Sequence, residues 1–410
     1  MKLPRRVLVV GLARSGSAAA LALARRGVEV VAADRAPDAD SGRLAQSGVE
    51  VHLGTEEERL LQGVELVVKS PGVPGETALP SAARAASIPV WSEVELGWRL
   101  LGRPPLVGVT GTNGKTTTAE LLGAIFRAAG RSVAVAGNVG RPLSSLDGEL
   151  AGGSWVVCEL SSFQLEDVHE LACEVAVLIN LEPDHLDRHG TFDAYRAAKL
   201  RIFERARTKI VPRGLGLDGV EFGADDVLPA EPLLPGLHNR ENAAAATAAA
   251  RAAGIDDDAI AEALRTFPGV KHRLELVAEV GGVRYVNDSK ATNTAAARRG
   301  IAAYAKSPLR LILGGSLKGE SFSELVLALP ETVRSIDLIG EASGELATAL
   351  ELAGRRYRRA DDLGTALSLI SAEAEPGDVV LLSPACASYD QYRDFEERGE
   401  HFRRLVEALP

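Results

Sequence analysis

Short apolar runs alternate with helically spaced stretches along the whole chain: RRVLVVG, VEVVAAD and VELVVKS, then PLVGVTG, WVVCEL and VAVLIN, then LRLILGG, SIDLIG and DVVLLSP. Runs so uniformly apolar must be buried on both faces, and the helical stretches between them supply the cover. That restricts the fold to parallel sheets layered with helices. The runs fall into three groups, separated near residues 91–93 and 268–271, which predicts domains at 1–92, 93–269 and 270–410. Residues 206–236, rich in Gly and Pro, read as an irregular connection with short strands.

A chain of 410 residues with 46% hydrophobic content can bury several cores. Its net charge of -10, with arginines dispersed rather than blocked, excludes a nucleic-acid surface. No apolar run approaches the roughly 20 residues of a membrane span. Cys158, Cys173 and Cys386 are odd in number and lack metal-type spacing, so reduced thiols and a cytoplasmic protein are expected. The basic residues comprise 37 Arg and nine Lys. Against that background, Lys115, Lys199, Lys290 and Lys318 stand in or beside polar strings, where a compact or deprotonatable amine would serve and a guanidinium would not.

The string GVTGTNGKTTTAELL, 108–122, is the sharpest chemical signal. Val109 replaces the first glycine of the phosphate-loop pattern, but the other parts are present. A strand feeds the small-residue turn Gly111, Thr112, Asn113 and Gly114, whose N–H groups can surround phosphates. Lys115 can reach terminal phosphates, Thr116 with Thr117 opens a helix, and Thr116 can ligate Mg²⁺. Downstream, Glu159 ends an apolar strand where a carboxylate could hold a cation beside the loop. Another strand end delivers Asn180, Asp184, His185, Asp187 and His189. At the N-terminus, Gly11-Leu-Ala-Arg-Ser-Gly16 followed by Asp34 approximates a dinucleotide turn, with Ala13 in place of the second glycine. A nucleotide other than NAD fits that turn better; a dehydrogenase would leave Lys115 and Thr116 without work.

GTNGKTT, GNVG at 137–140, ELSSFQL, EPDHLDRHG, AAKLRIF, PGLHNRENAAAA, HRLE, NDSKATN and LLSPACASYDQYRDFEERG occur in the order seen in the ATP-dependent Mur ligases of peptidoglycan synthesis. The chain resembles that family over essentially its whole length, and its C-terminal strings look like the branch that adds D-glutamate to UDP-N-acetylmuramoyl-L-alanine. The resemblance implies a Rossmann-like N-terminal domain, a central P-loop-type ATPase with a mainly parallel sheet, and a Rossmann-like C-terminal domain. It implies ATP with two Mg²⁺ ions, held by Thr116, Glu159 and His185, and a CO₂-derived carbamate on Lys199 as a further anionic group at the metal. Lys115, Glu159, His185 and Lys199 would be catalytic. Asn239, Asn242, Arg273, Asp288 and Lys290 would complete the ATP site. Ala13, Arg14, Ser15, Asp34, Arg35, Gly72, Asn138 and His185 would hold the UDP-linked substrate, and Thr292, Lys318, Ser388, Tyr389 and Phe395 the D-glutamate. A cytoplasmic monomer acting on these small molecules, with neither nucleic acid nor membrane as partner, is the expectation.

Overall fold

The structure is a computed structural model that describes residues 3–409 except 318 and 320, and the backbone alone at 187. Three sheets carry the fold. The first orders its strands β3 (Glu50–Leu53), β2 (Glu29–Asp34), β1 (Arg6–Val10), β4 (Leu66–Lys69) and β5 (Val90–Ser92). The second runs β11 (Val220–Phe222), β10 (Ala206–Pro212), β9 (Cys173–Leu178), β6 (Leu106–Thr110), β8 (Trp155–Glu159) and β7 (Val133–Gly137). The third runs β12 (Glu275–Val280), β13 (Val283–Asn287), β17 (Val379–Ala385), β14 (Leu309–Gly314), β15 (Val333–Ile339) and β16 (Arg358–Asp361).

Every pairing described in the first two sheets is parallel, as both-face burial of the apolar runs requires. Leu8, Val67 and Val31 face one helical layer and Val7, Val9 and Val68 the other, so each strand feeds two cores. In the first sheet the chain order reverses between β1 and β4, which opens a crevice at the strands' C-terminal ends. In the second, β6 lies between β8 and β9, so the turn leaving β6 stands at the equivalent reversal.

The third sheet departs from a uniformly parallel reading. Its edge strand β12 pairs antiparallel with β13 through a two-residue turn in which Gly281 (φ +58°) and Gly282 (φ +79°) both take left-handed conformations. Such a turn needs glycine-type backbones and matches strand twist, so the Gly-Gly pair is what makes the hairpin possible.

By density of contacts the chain divides into two units, 1–232 with 241–266, and 233–240 with 267–410. The first unit holds the first two sheets. They are joined through the helix Glu93–Leu100, which follows β5 directly and whose Glu93 is wholly buried. Glu93 Oε1 accepts 2.6 Å hydrogen bonds from both the N–H and the hydroxyl of Ser144 in the second layer system. On the other side of this junction Arg26 grips the Asp147 carboxylate with two nitrogens, at 2.9 and 2.6 Å. All three cysteines are buried, Cys158 on β8 and Cys173 on β9 directly beside β6. Burial pushes the Cys158 thiol well above its ordinary range and that of Cys173 to about 12.

Burial likewise drives the Glu93 carboxyl up to about 7, against the downward pull of the two Ser144 hydrogen bonds. The unfolded chain releases this proton near 4.5 and the native chain near 7, so stability from this residue falls as pH rises through that window. Glu93→Gln keeps an acceptor for Ser144 without a charge. It is expected to stabilise the protein by about 2–3 kcal/mol at pH 8 and by almost nothing at pH 4, measured by urea denaturation. An equal gain at both pH values would show that desolvation of the charged form is not the cause.

Candidate active site

The turn after β6 is built by its two flanking strands. Leu160 N–H donates to the Val109 carbonyl and Ile179 N–H to that of Thr110, so the chain enters the turn locked on both sides. Thr112 N–H then donates to the Asn180 carbonyl (3.1 Å) and Asn113 N–H to the Asn180 side chain (2.9 Å). Asn180, at the end of β9's run, thus shapes the loop from outside it. Gly114 caps the helix Lys115–Ala128 in the left-handed region (φ +83°). A glycine cap offers the first-turn N–H groups no side-chain acceptor, leaving the positive end of a fourteen-residue helix to be met by an anion. A Cβ at Gly114 would lie 2.2 Å from the Asn242 side-chain oxygen, so Asn242, from the helix Leu237–Ala252, stands against the loop.

Two lysines converge on this turn. Lys115 Nζ donates to the carbonyls of Gly111 and Thr112, each at 2.9 Å. Lys199, on the helix Phe192–Leu200 and only 2% exposed, donates to the same Gly111 carbonyl at 2.8 Å. Its ammonium sits 4.7 Å from the centre of the Tyr195 ring, one helical turn earlier, and the Tyr195 hydroxyl bonds Thr112 Oγ1 at 2.9 Å. Burial, and next the charge of Lys115, lower the Lys199 amine to about 7, with Asp184 and Glu159 pulling the other way. A neutral, nucleophilic amine is therefore well populated at neutral pH.

Glu159 is buried at the end of β8, its Oε1 accepting from Asn138 Nδ2 at 3.1 Å. The Thr116 side chain is also buried. A hydroxyl and a carboxylate are hard oxygen donors suited to Mg²⁺, which completes its shell with water and phosphate. Among the described residues no cluster of three His, Cys, Asp or Glu side chains forms a self-sufficient metal cage. His185 adopts a left-handed backbone (φ +51°) with its ring half-exposed 3.6 Å from Asp184 and packed on Phe163. His189 turns inward, between Ser162, Glu166 and the Phe163 and Tyr195 rings, a structural placement. The Asp187 side chain lies outside the described residues.

The crevice of the first sheet is a cavity of about 210 Å³ whose lining includes Gly11, Ala13, Asp34, Arg35 and Glu56, with Ser70, Gly72, Val73, Pro74 and Thr77 from the segment after β4. Asp34 shapes it, accepting from the N–H groups of Leu12 (2.6 Å) and Ala36 (2.8 Å). Ala13, Asp34, Arg35 and Gly72 meet there, whereas Ser15 is not in its lining and Arg14 turns to the Gly140 carbonyl at 3.4 Å.

In the second unit, Asp288 is buried at the end of β13's run beside Ser383, which donates to it at 2.7 Å. Burial raises its carboxyl to about 7. Lys290 stands 5.8 Å from the Phe395 ring, Ser388 is buried and Tyr389 is 74% exposed. Thr292 N–H donates to the Lys290 carbonyl, and Asn239 Nδ2 to that of Pro235. Arg273 lies close enough to His238 and Asp288 to act on both charges. Lys318 lies outside the described residues.

Comparison with known proteins decides the relationship. Residues 5–92 match the family described as Mur ligase MurD-like, N-terminal domain; 109–213 match the Mur ligase middle domain; and 272–386 match the Mur ligase glutamate ligase domain. The UDP-N-acetylmuramoylalanine–D-glutamate ligase of Pelotomaculum thermopropionicum is 40% identical, over 99% of this chain and 98% of that protein. The enzyme of the same name from Caldanaerobacter subterraneus subsp. tengcongensis is 41% identical over 99% and 98%. The chain belongs to the Mur ligase family. Its fold is also that of the Thermotoga maritima UDP-N-acetylmuramate-alanine ligase, with a TM-score of 0.64 at 18% identity, over 98% of this chain and 99% of that one.

Several residues of this Mur ligase escaped sequence reasoning. Tyr195 was findable, four positions before Lys199 on one helix face. Glu182, which takes Asn113 Nδ2 at 3.2 Å, stood inside a string already singled out. Arg398 also stood inside a quoted string, the one ending in FEERG, but nothing in the string marks it as buried. It is 1% exposed and donates to the Ser289 hydroxyl and to the carbonyls of Ser289, Cys386 and Ala387, at 2.9 to 3.0 Å, tying together the loops that carry Lys290 and Ser388.

Gly114→Ala tests the phosphate turn. A left-handed non-glycine residue costs about 1–2 kcal/mol, and its Cβ must also displace Asn242. Loss of that stability in urea, with nucleotide affinity weakened at least about tenfold by calorimetry, is the expected result. Parent-like stability and affinity would mean the turn tolerates a different path.

Proposed function

We propose that the chain is an ATP-dependent ligase that joins D-glutamate to UDP-N-acetylmuramoyl-L-alanine in cytoplasmic peptidoglycan precursor synthesis, and so serves cell-wall growth and division. The observation that carries this is end-to-end identity of about 40% with ligases of that name. A monomer with functional divisions at 1–92, 93–269 and 270–410 goes with the reading, and no described helix is long and apolar enough to cross a membrane.

The two nucleotide-type turns then serve one peptide bond. The first-sheet cavity, with Ala13, Asp34, Arg35 and Gly72, would take the UDP end of the substrate, and Arg14, Ser15 and Asn138 would border it. The turn from Gly111 to Thr117 would hold ATP, with Asn239, Asn242, Arg273, Asp288 and Lys290 contributing. A carboxylate is a poor electrophile; transfer of the γ-phosphoryl group onto its oxygen gives an acyl phosphate, releasing ADP. The amine of D-glutamate, held by Thr292, Lys318, Ser388, Tyr389 and Phe395, attacks that carbonyl, and a tetrahedral intermediate expels phosphate as the amine loses its proton. Lys115 neutralises charge on the transferred group, and positioning supplies most of the acceleration.

Thr116 and Glu159 would hold one Mg²⁺ and His185 would serve a second. Magnesium there would neutralise phosphate charge and orient the phosphoryl group. Lys199 would act as its carbamate, formed when the neutral amine adds to CO₂ and releases a proton. The amine held near 7 beneath the loop supports this, since a fully protonated lysine could not react.

Phosphate release from Mg-ATP is expected to require both UDP-N-acetylmuramoyl-L-alanine and D-glutamate. Lys199→Ala should lower it at least about a hundredfold, with partial recovery on adding short-chain carboxylic acids. Release supported by L-alanine or L-lysine in place of D-glutamate would reassign the amino acid. No release with any of them would overturn the reading.

A further inference from the structure

The segment after β4 lines the first-sheet cavity with Ser70, Gly72, Val73 and Pro74, and the carbonyls of Pro71, Val73 and Gly75 along it are held by three cations. Arg188 donates one nitrogen to Pro71 O at 2.9 Å and another to Val73 O at 2.7 Å. Lys69, 1% exposed at the end of β4, donates to the same Val73 carbonyl at 3.2 Å and pairs with Asp167 Oδ2 at 3.2 Å. Arg84 spans Gly75 O and Asp167 Oδ1, each at 2.6 Å. The cavity wall is thus fastened to groups of the second sheet's layer rather than to its own sheet alone.

Arg188 differs from the other two in where its backbone sits. It belongs to the single helical turn Leu186–His189, entered through the left-handed residue His185. Its guanidinium lies 3.8 Å over the Phe163 ring. The same ring packs on His185 at 5.0 Å and stacks on His189 at 5.1 Å with an interplanar angle of 10°. One aromatic side chain therefore seats the whole turn, and one planar fork extends from that turn to two carbonyls on either side of Gly72. A lysine would have to serve both from a single nitrogen, without the two separated donors of the fork.

We infer that Arg188, by holding the carbonyls of Pro71 and Val73, is a positioning residue that makes the cavity wall at Gly72 and Val73 and the His185 turn move as one piece. Occupation of the cavity is thereby felt at the His185 turn, whose His189 packs on Tyr195, the ring whose hydroxyl bonds Thr112 of the phosphate turn. The kinetic part of this inference rests on the proposed ligase reading; the mechanical part does not. His185 itself touches neither Pro71 nor Val73 among the described hydrogen bonds, so the link runs through Arg188 and Phe163.

Two readouts on the full-length protein test it, using Arg188→Met, which removes every donor, and Arg188→Lys, which keeps the charge but loses the fork. In the ligand-free protein, hydrogen exchange should accelerate together in segments 70–77 and 185–190. The expected rise is about tenfold or more in Arg188→Met and less in Arg188→Lys, with β6 unchanged. Faster exchange in only one of the two segments, or throughout the chain, would overturn the link. In ligation assays, KM for the UDP-linked substrate should rise about tenfold and kcat should fall, while KM for ATP stays within about twofold. Equal loss in both KM values, or no change in any parameter, would overturn the role of Arg188. If the unsubstituted protein ligates nothing, the ligase reading fails, and the exchange measurement still decides the link.

Discussion

The parallel register of β8, β6 and β9 is the constraint on which the site depends. Val109 is level with Glu159 on one side and Val177 on the other, and Thr110 with Leu178. Each strand then ends at nearly the same height, so the turn 111–114 leaves the sheet between a buried carboxylate and Asn180. A shift of one residue in either ladder would carry Glu159 or Asn180 to the opposite face of the sheet. Because β6 is buried on every side, the register is fixed by the core, and the chemistry inherits its precision from apolar packing. The same logic operates in the first sheet, where Asp34 at the end of β2 accepts the amide of Leu12 that follows β1.

Electrostatics adds a second common theme. Lys199 is buried with a carbonyl oxygen, not a carboxylate, as its nearest acceptor, and a second ammonium shares that oxygen. Burial that outweighs the pull of Asp184 and Glu159 favours the neutral form. Glu93 at the junction of the first two sheets and Asp288 in the third obey the same rule with opposite sign, both carboxyls being driven up to about 7. Three titratable groups near neutrality, each in a different layer system, arise from desolvation as the leading cause.

Much of this architecture is legible in the sequence because it is local. Apolar runs gave β1, β2, β4, β6, β8, β9, β14, β15 and β17, and the phosphate turn declares itself through Gly-Lys-Thr-Thr. Edge strands were harder. β3 and β16 are half-polar in exposure, β5 has three residues, and β12 enters through a glycine hairpin that interrupts the alternation pattern. Tertiary chemistry was hardest. Lys69, Arg188 and Arg398 act on backbone carbonyls, and a carbonyl has no letter in the sequence. Arg14 and Ser15 sit in the expected turn, yet the fold sends the Arg14 side chain to Gly140 instead of into the cavity.

Cys158 and Cys173 occupy the two strands that clasp β6, with both sulfurs buried and both thiols held far from ionisation. A thiolate is the reactive form, so neither sulfur can be alkylated or oxidised at an appreciable rate while the sheet is closed. Their labelling is consequently a clock for separation of the three strands beneath the phosphate turn, slowed by any ligand that binds only the closed form. A protein so arranged keeps its catalytic floor indifferent to oxidants for as long as it stays folded.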